Sequence, residues 1–352
     1  MAIYIPAIGP STLSTMARVP EYNIFGKDGV FKHNFFLISA YRGIEQNFTI
    51  EKMLGDDLRD DVVIMGDSGG FQEMSLGKNF GRDKVLDWLD ENCHTGMIKD
   101  YPCTDADSIQ TIREKQQKTA IDATWMLERR KKVLLYNVYL GRSEEQFQQI
   151  HDFYGDHEYD GVAIGSLNTN LDNIVSSLLS VIKIAGTKKS FHILGRTGLT
   201  AMPVQHYIEH KLGLTLSYDS ATYSLGSRLR EYKLPFSFKD ALIMTDRENL
   251  HKIKELPCDC PVCQTANVEM LTSPGGFSGF LLDMHNMYMQ IRMTRTLNSL
   301  VHNEDKYKDF VGRLSTRAGA YLDLVDTMLE EGVDVALRRH NFGGAEEVSD
   351  WL

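Results

Sequence analysis

Short apolar runs alternate with longer amphipathic stretches along most of this chain. The runs occupy residues 35–40, 62–65, 133–138, 161–165, 191–195 and 214–218. They are rich in Val, Ile, Leu and aromatic residues and mostly bounded by Gly or Asp, as strands buried on both faces of a parallel sheet should be. Between them lie helical patterns. Leu171, Ile174, Val175, Leu178, Leu179 and Ile182 keep the spacing that gathers side chains on one helical face. Residues 105–132 read as a long helix with a basic end, Arg129-Arg130-Lys131-Lys132, and Ser143 reads as the cap of a helix running to Tyr154. Strand alternating with helix predicts a parallel sheet with crossover helices, either doubly wound or closed into an eight-fold barrel. No GxGxxG or GxxxxGK[ST] follows any run, which takes support from the nucleotide-binding open sheets. The expected fold is therefore α/β, a (β/α)8 TIM barrel. Beyond Lys252 the alternation gives way to a Cys-rich segment, two long helical stretches at 283–302 and 305–339, and a Gly- and acid-rich tail, 341–352, expected to be loose.

Composition narrows the class without naming it. With 352 residues, 42% hydrophobic and 24% charged, the chain can bury a sizeable core. Lys plus Arg number 38 against 48 Asp plus Glu, so the formal charge of −10 argues against coating nucleic acid through bulk charge and leaves only a local basic groove. The N-terminus has no basic n-region and no long apolar run occurs, so neither a signal peptide nor a membrane span is expected, and the expected location is cytoplasmic.

Five cysteines do not form a secreted disulfide framework, because three of them bunch in Cys258-Asp-Cys260-Pro-Val-Cys263. His285 follows, inside Asp283-Met-His-Asn-Met-Tyr288. Three thiolates and one imidazole make a closed tetrahedral set, the donor set of structural Zn2+ with no position open for chemistry. The plainer alternative is reduced thiols beside a core histidine. Cys93 and Cys103 read as small buried side chains. The expected division is a barrel over 1–250, a zinc-binding subdomain over 251–303 and a C-terminal helical segment over 304–352 that completes the barrel.

Two apolar runs stop at an aspartate: Val62-Val-Ile-Met-Gly-Asp67-Ser-Gly-Gly-Phe-Gln72 and Leu214-Thr-Leu-Ser-Tyr-Asp219. Active sites of parallel barrels form at C-terminal strand ends. Two carboxylates converging there can serve as nucleophile and general acid/base on a glycosidic bond. Gly69 and Gly70 would let backbone approach a flat ligand, and Phe71 could stack on it. Equally, an Asp after a strand is commonly a helix cap or a solvated turn.

Asp67-Ser-Gly-Gly-Phe-Gln72, the strand ends Ala163-Ile-Gly-Ser-Leu167 and His192-Ile-Leu-Gly195, and the C-x-C-x2-C…His set occur in an order that resembles the tRNA-guanine transglycosylase superfamily over residues 35–290. Tyr218-Asp-Ser-Ala-Thr-Tyr223 and Asp100-Tyr-Pro-Cys103 look more like its archaeal branch. The resemblance implies a zinc-bearing barrel that exchanges guanine in a nucleic acid for a free 7-deazaguanine base. It implies Asp219 as nucleophile, Asp67 as general acid/base, Asp100 as reader of the purine edge, and Gly165 and Ser166 as backbone contacts. Phe71 and Leu194 would sandwich the ring, with Ser68, Gly69 and Gly195 also lining the base site. The family's Val-Gln-Gly strand end is replaced by Tyr136-Asn-Val-Tyr-Leu-Gly141, which leaves Asn137 as the substitute for a missing pocket glutamine.

The polymer is a separate question. The family's archaeal tRNA enzymes continue into C-terminal RNA-binding domains, for which the stretch after His285 is too short. Its bacterial tRNA enzymes carry Pro-Thr-Arg after the nucleophile, where this chain has Ser220-Ala-Thr-Tyr-Ser-Leu-Gly-Ser227. These features resemble the DpdA proteins, the DNA-modifying members from phages and genomic islands, which insert 7-cyano-7-deazaguanine (preQ0) or a relative. DNA is thus the expected partner and tRNA the alternative. Arg228 and Arg230 are the best-placed backbone contacts, with Arg129 to Lys132, Lys188-Lys189 and Arg338-Arg339 as further candidates. The family's dimerisation near zinc implies a homodimer, and a partner protein that opens duplex DNA stays open. A non-catalytic accessory subunit is disfavoured because both aspartates are present.

Overall fold

The computed structural model describes residues 1–165, 171–244, 255–332 and 335–336. All six apolar runs are strands: β2 (Phe35–Ser39), β3 (Val63–Asp67), β5 (Leu134–Tyr139), β6 (Gly161–Ile164), β7 (Ser190–Ile193) and β8 (Thr215–Ser220). Two further strands complete the set, β1 (Ile3–Pro6) and β4 (Thr95–Met97). Neighbours run in the order β1-β8-β7-β6-β5-β4-β3-β2, all parallel. A parallel bridge between Ala7 and Leu37, with the Ile8 N–H donating to the Leu37 carbonyl at 2.8 Å, brings the two edges together. The expected (β/α)8 barrel is the fold observed.

β4 carries no apolar run because its middle residue must be small. A Cβ on Gly96 would stand 3.1 Å from Leu89 Cδ2, and one on Gly66 of β3 only 2.1 Å from the same atom. These two glycines let the helix Arg82–Asn92 lie directly on the sheet.

Strand alternation then fixes what faces the barrel axis. Val138, Ala163, His192 and Ser217 pair along one row. Tyr139, Ile164, Ile193 and Tyr218 form the next. The second row faces the helices: the Tyr139 hydroxyl meets His151 Nδ1 at 2.7 Å, and the Tyr218 hydroxyl meets His206 and Thr294, each at 2.9 Å. The first row, and with it Asp219 two residues beyond Ser217, faces inward. Asp67 is two residues beyond Met65, which pairs with Leu37 on the same inward set.

The helices follow their caps. Ser143 Oγ accepts the Gln146 N–H at 3.3 Å and opens the helix Glu144–Tyr154. The 171–182 pattern is the helix Leu171–Ala185. The stretch 105–132 is helical only over Ile109–Arg129. Ser108 caps its start, and the Asp90 carboxylate takes the N–H groups of Lys131, Lys132 and Val133, ending the helix and launching β5.

Between β8 and the cysteines lies an antiparallel hairpin, β9 (Glu231–Leu234) and β10 (Ser237–Ile243). Two short helices follow, Pro261–Thr265 and Val268–Thr272, and then the long helix Gly276–Leu300, which starts ahead of the expected 283. The stretch expected to be helical over 305–339 divides into Glu304–Leu314 and Thr316–Glu331. Ser315 separates them by capping the second through the Ala318 N–H. The tail 341–352 lies outside the described residues. Among the described residues no helix is long and apolar enough to cross a membrane.

Candidate active site and metal centre

Asp67 and Asp219 end inward-facing rows of β3 and β8 at the C-terminal mouth of the barrel. Asp219 is buried, and its Oδ1 accepts the Gly195 N–H at 2.7 Å and faces His192 Nε2 at 3.2 Å. Its Oδ2 has no donor among the described residues. Gly195 supplies that amide from a left-handed turn (φ +69°), so in this structure its N–H serves the carboxylate.

Asp67 keeps a narrow opening to solvent at the mouth but is packed round by protein. Burial, and then the charges of Asp100 and Asp219, push its carboxyl up to about 7, against the pull of the Gly69 N–H on Oδ2 at 3.1 Å. A carboxyl in that range can hold a proton at neutral pH and give it away. Gly69 is required here on two counts: its φ is +88°, and a Cβ would meet Tyr41 Cβ at 2.3 Å.

Asp100 lies behind Asp67 on the segment that follows β4. Burial pushes its carboxyl up to about 6, against a 2.6 Å hydrogen bond from Ser68 Oγ and the nearby Lys99 charge. The Ser68 hydroxyl is thus spent on Asp100, and Ser68 itself is buried. Gly70 lets the chain pass Asp100, since a Cβ there would stand 2.7 Å from both its carbonyl and its Oδ1. Phe71, one residue on, stands 65% exposed at the start of the helix Gly70–Leu76. On the far side of the mouth, a Cβ on Gly165 would touch Leu194 Cδ1 at 3.3 Å and Val138 Cγ1 at 3.4 Å, so Gly165 leaves an open floor beside Leu194. Ser166 lies outside the described residues.

Asn137 does not join this group. It pairs with Val162 in the row flanked by the helix-facing Tyr139, opposite in parity to Val138, so its side chain points into the helix layer. It is fully buried, and neither amide atom has a partner among the described residues.

The basic candidates also divide. Arg129 to Lys132 precede β5 and Lys188-Lys189 precede β7, at the rim opposite Asp67 and Asp219. Arg130 is paired with Asp160, and Lys189 Nζ donates to the Tyr159 carbonyl at 2.7 Å. Arg230 has φ +62°, and its guanidinium is bound to the carbonyls of Leu271 and Ser273, stitching the start of the hairpin to the helix Val268–Thr272. Arg228 is exposed at the end of the helix Thr222–Arg228, on the same side as Asp219. Arg338 and Arg339 lie outside the described residues.

The ligand atoms of Cys258, Cys260, Cys263 and His285 all lie within 4.8 Å of one another. Cys260 and Cys263 come from the turn into the helix Pro261–Thr265, and His285 from the helix Gly276–Leu300. His285 Nε2 donates to the Lys233 carbonyl at 2.8 Å, which leaves Nδ1 turned to the sulfurs at 3.3–3.4 Å. The Tyr232 ring stacks on the imidazole at 3.8 Å. Three sulfurs and one nitrogen so placed can hold a metal ion, and the donor set fits Zn2+ in a closed structural site. Cys93 and Cys103 are buried apart from it.

The sequence pattern does not single out His192 and Ser217, yet both belong to the site. His192 is fully buried beneath Asp219, with Nδ1 2.8 Å from Ser217 Oγ. Their signal is the period of two: Ser217 precedes Asp219 by two residues, and His192 precedes Leu194 by two.

No family model matches the chain. It is 24% identical over 291 residues to a tRNA-guanine(15) transglycosylase of Korarchaeum cryptofilum, covering 77% of this chain and 45% of that protein. It is also 24% identical over 284 residues to the protein of the same name from Saccharolobus solfataricus, covering 72% of this chain and 52% of that protein. The chain spans about half the length of these curated relatives. This distant similarity supports the tRNA-guanine transglycosylase superfamily.

Proposed function

We propose that the chain exchanges a guanine base in a nucleic acid for a free 7-deazaguanine, by double displacement through a covalent Asp219–sugar intermediate. The observation that carries this reading is the pairing of carboxyls at the barrel mouth. Asp219 is held by one oxygen, with no donor to the other among the described residues, and Asp67 is pushed up to about 7. One group is arranged as a nucleophile and the other as an acid.

The target nucleotide is flipped from its strand into the mouth. Asp219 Oδ2 bonds to C1′ through an oxocarbenium-like transition state as Asp67 protonates the departing guanine. The incoming deazapurine gives its N9 proton to Asp67 and displaces Asp219, and two inversions retain the sugar configuration. One glycosidic bond replaces another, so the exchange consumes no ATP. Phe71 and Leu194 are assigned to the faces of the base, Asp100 to its edge, and Gly69 and Gly165 to the space it needs. Zn2+ on Cys258, Cys260, Cys263 and His285 would fix the 251–303 region against the barrel of 1–250, with 304–352 as a helical addition.

DNA is the polymer proposed, because the segment after Asp219 reads Ser220-Ala-Thr-Tyr223 and lacks the Pro-Thr-Arg of anticodon-reading relatives. The names of both relatives favour tRNA as the second reading. Purified protein offered labelled guanine or 7-cyano-7-deazaguanine with plasmid DNA, single-stranded DNA or bulk tRNA distinguishes the two by nucleoside mass spectrometry. Deazaguanine deoxynucleoside in DNA alone is the expected result, and incorporation into tRNA alone replaces the first reading with the second. Asp219→Asn should form no covalent adduct, and near-normal exchange by that variant would remove the mechanism. Sedimentation of the protein reads whether it is a homodimer, and exchange into single-stranded but not plasmid DNA would call for an added DNA-opening partner.

A further inference from the structure

Each of the three sulfurs of the metal centre is met by one hydrogen-bond donor, and the donors come from two parts of the chain. Cys258 Sγ accepts the Cys260 N–H at 3.4 Å, and Cys260 Sγ accepts the Cys263 N–H at 3.4 Å. These two are local, since the loop that presents the cysteines turns its own amides onto them. The donor to Cys263 comes from elsewhere. The Tyr232 hydroxyl, 31 residues earlier on β9, stands 3.1 Å from Cys263 Sγ. A thiolate bound to a metal ion has no hydrogen to give, so with the ion in place the O–H is the donor. Tyr232 is fully buried, and its hydroxyl has no second partner among the described residues.

The strand that carries Tyr232 is strapped to the centre residue by residue. The Glu231 carbonyl accepts from Asn286 Nδ2 at 2.9 Å, and the Lys233 N–H donates to Asn286 Oδ1 at 3.0 Å. The Lys233 carbonyl takes the hydrogen of His285 Nε2 at 2.8 Å. Between these anchors the Tyr232 ring lies on the His285 imidazole, 3.8 Å away and 10° from parallel. One side chain thus bears on two ligands, on the imidazole through its face and on Cys263 through its hydroxyl.

We infer that Tyr232 is a positioning residue of the metal centre, whose hydroxyl supplies the donor that Cys263 lacks locally and holds that thiolate on the ion. A hydrogen bond to an anionic sulfur is charge-assisted. It spreads the negative charge that three thiolates crowd around one divalent ion, and it occupies a lone pair that an electrophile would attack. Cys258 and Cys263 are both partly exposed, whereas Cys260 is buried. Exposure therefore does not set Cys263 apart from Cys258, and the hydroxyl is what distinguishes them.

Two measurements on the full chain test this. Tyr232→Phe keeps the ring on His285 and removes only the hydroxyl. Competition with a chromophoric chelator should show zinc bound about tenfold more weakly by the variant than by the unaltered protein. With zinc in excess and iodoacetamide limiting, mass mapping should show the ratio of Cys263 to Cys258 alkylation rising severalfold in the variant. A general loosening of the fold would speed both sulfurs alike and leave that ratio where it was. Unchanged zinc affinity, or an unchanged ratio, would overturn the inference. An unaltered protein without stoichiometric metal would overturn it together with the centre it supports. Base exchange enters neither readout.

Discussion

Lys99 Nζ lies 2.5 Å from Glu73 Oε2, with the two side chains only 2% and 7% exposed. Glu73 belongs to the helix that follows Asp67, and Lys99 immediately precedes Asp100, so the pair joins the supports of two candidate site carboxyls. The second carboxylate oxygen accepts the Phe80 N–H at 2.7 Å, so Glu73 is committed at both ends. Lys99→Met would strand a buried carboxylate and should cost about 3–5 kcal/mol. Lys99→Met with Glu73→Leu should recover most of that loss. Urea titration of both variants checks this, and equal loss in single and double variants would show that packing rather than the charge pair is at stake.

The displaced Asp67 carboxyl fixes the sign of a pH effect. An unfolded carboxyl ionises near 3.8, whereas the folded one holds its proton up to about 7. Folding therefore takes up a proton between these values, and this group's contribution to stability falls as pH rises through that window. Asp67→Asn should melt higher than the unaltered protein at pH 8 and no higher at pH 3.5, while losing base exchange. Scanning calorimetry at the two pH values reads the difference. Adduct formation by the unaltered protein should fall as pH rises above about 7, because the acid form is then depleted.

Metal removal should be felt near Asp219. His285 and Gln290 share the helix Gly276–Leu300, and Gln290 Nε2 donates to Thr222 Oγ1 at 2.6 Å. Thr222 in turn donates its N–H to Ser220 Oγ at 2.9 Å, next to Asp219. Cys260→Ser should lose stoichiometric zinc and lower the melting temperature by about 5 °C or more. Proteolysis should open the 255–275 segment first. Metal analysis, thermal unfolding and mass mapping of the fragments report these in turn.

Arg228 and Arg230 are near neighbours in sequence with separate expected behaviours. Arg228→Ala should weaken nucleic-acid binding evenly across sequences and reduce the salt slope by about 1, with no change in melting temperature. Arg230→Ala removes the bonds to the Leu271 and Ser273 carbonyls and should act on stability instead. Filter binding over a salt series, beside thermal melts, separates a phosphate contact from a structural strut.

What the sequence reveals and conceals has a local physical reason in each case. Asp67 and Asp219 are visible because an apolar strand ends abruptly at each, and Ser143 because a capping hydroxyl sits immediately ahead of its helix. β4 is hidden because its glycine answers to Leu89, a residue on another element. Arg230 looks like Arg228 until the carbonyls of a distant helix claim it. The basic runs at Arg129 and Lys188 read as candidate backbone contacts, but which rim they occupy follows only from their place before a strand rather than after one.

Asn137 is the sharpest case, because its neighbours in sequence resemble a pocket strand while its parity turns it outward. A buried amide with neither atom paired costs free energy that an apolar side chain of similar size would not. Asn137→Leu should therefore raise stability by about 1–3 kcal/mol and leave base exchange within a factor of about two. The same variant would abolish exchange if the amide read the base, since an apolar side chain in its place would leave the polar edge of the base unpaired in the pocket. Urea unfolding and the exchange assay on this one variant decide between a helix-layer residue and a pocket residue. A stabilised, active protein is the outcome that the register of β5 against β6 requires.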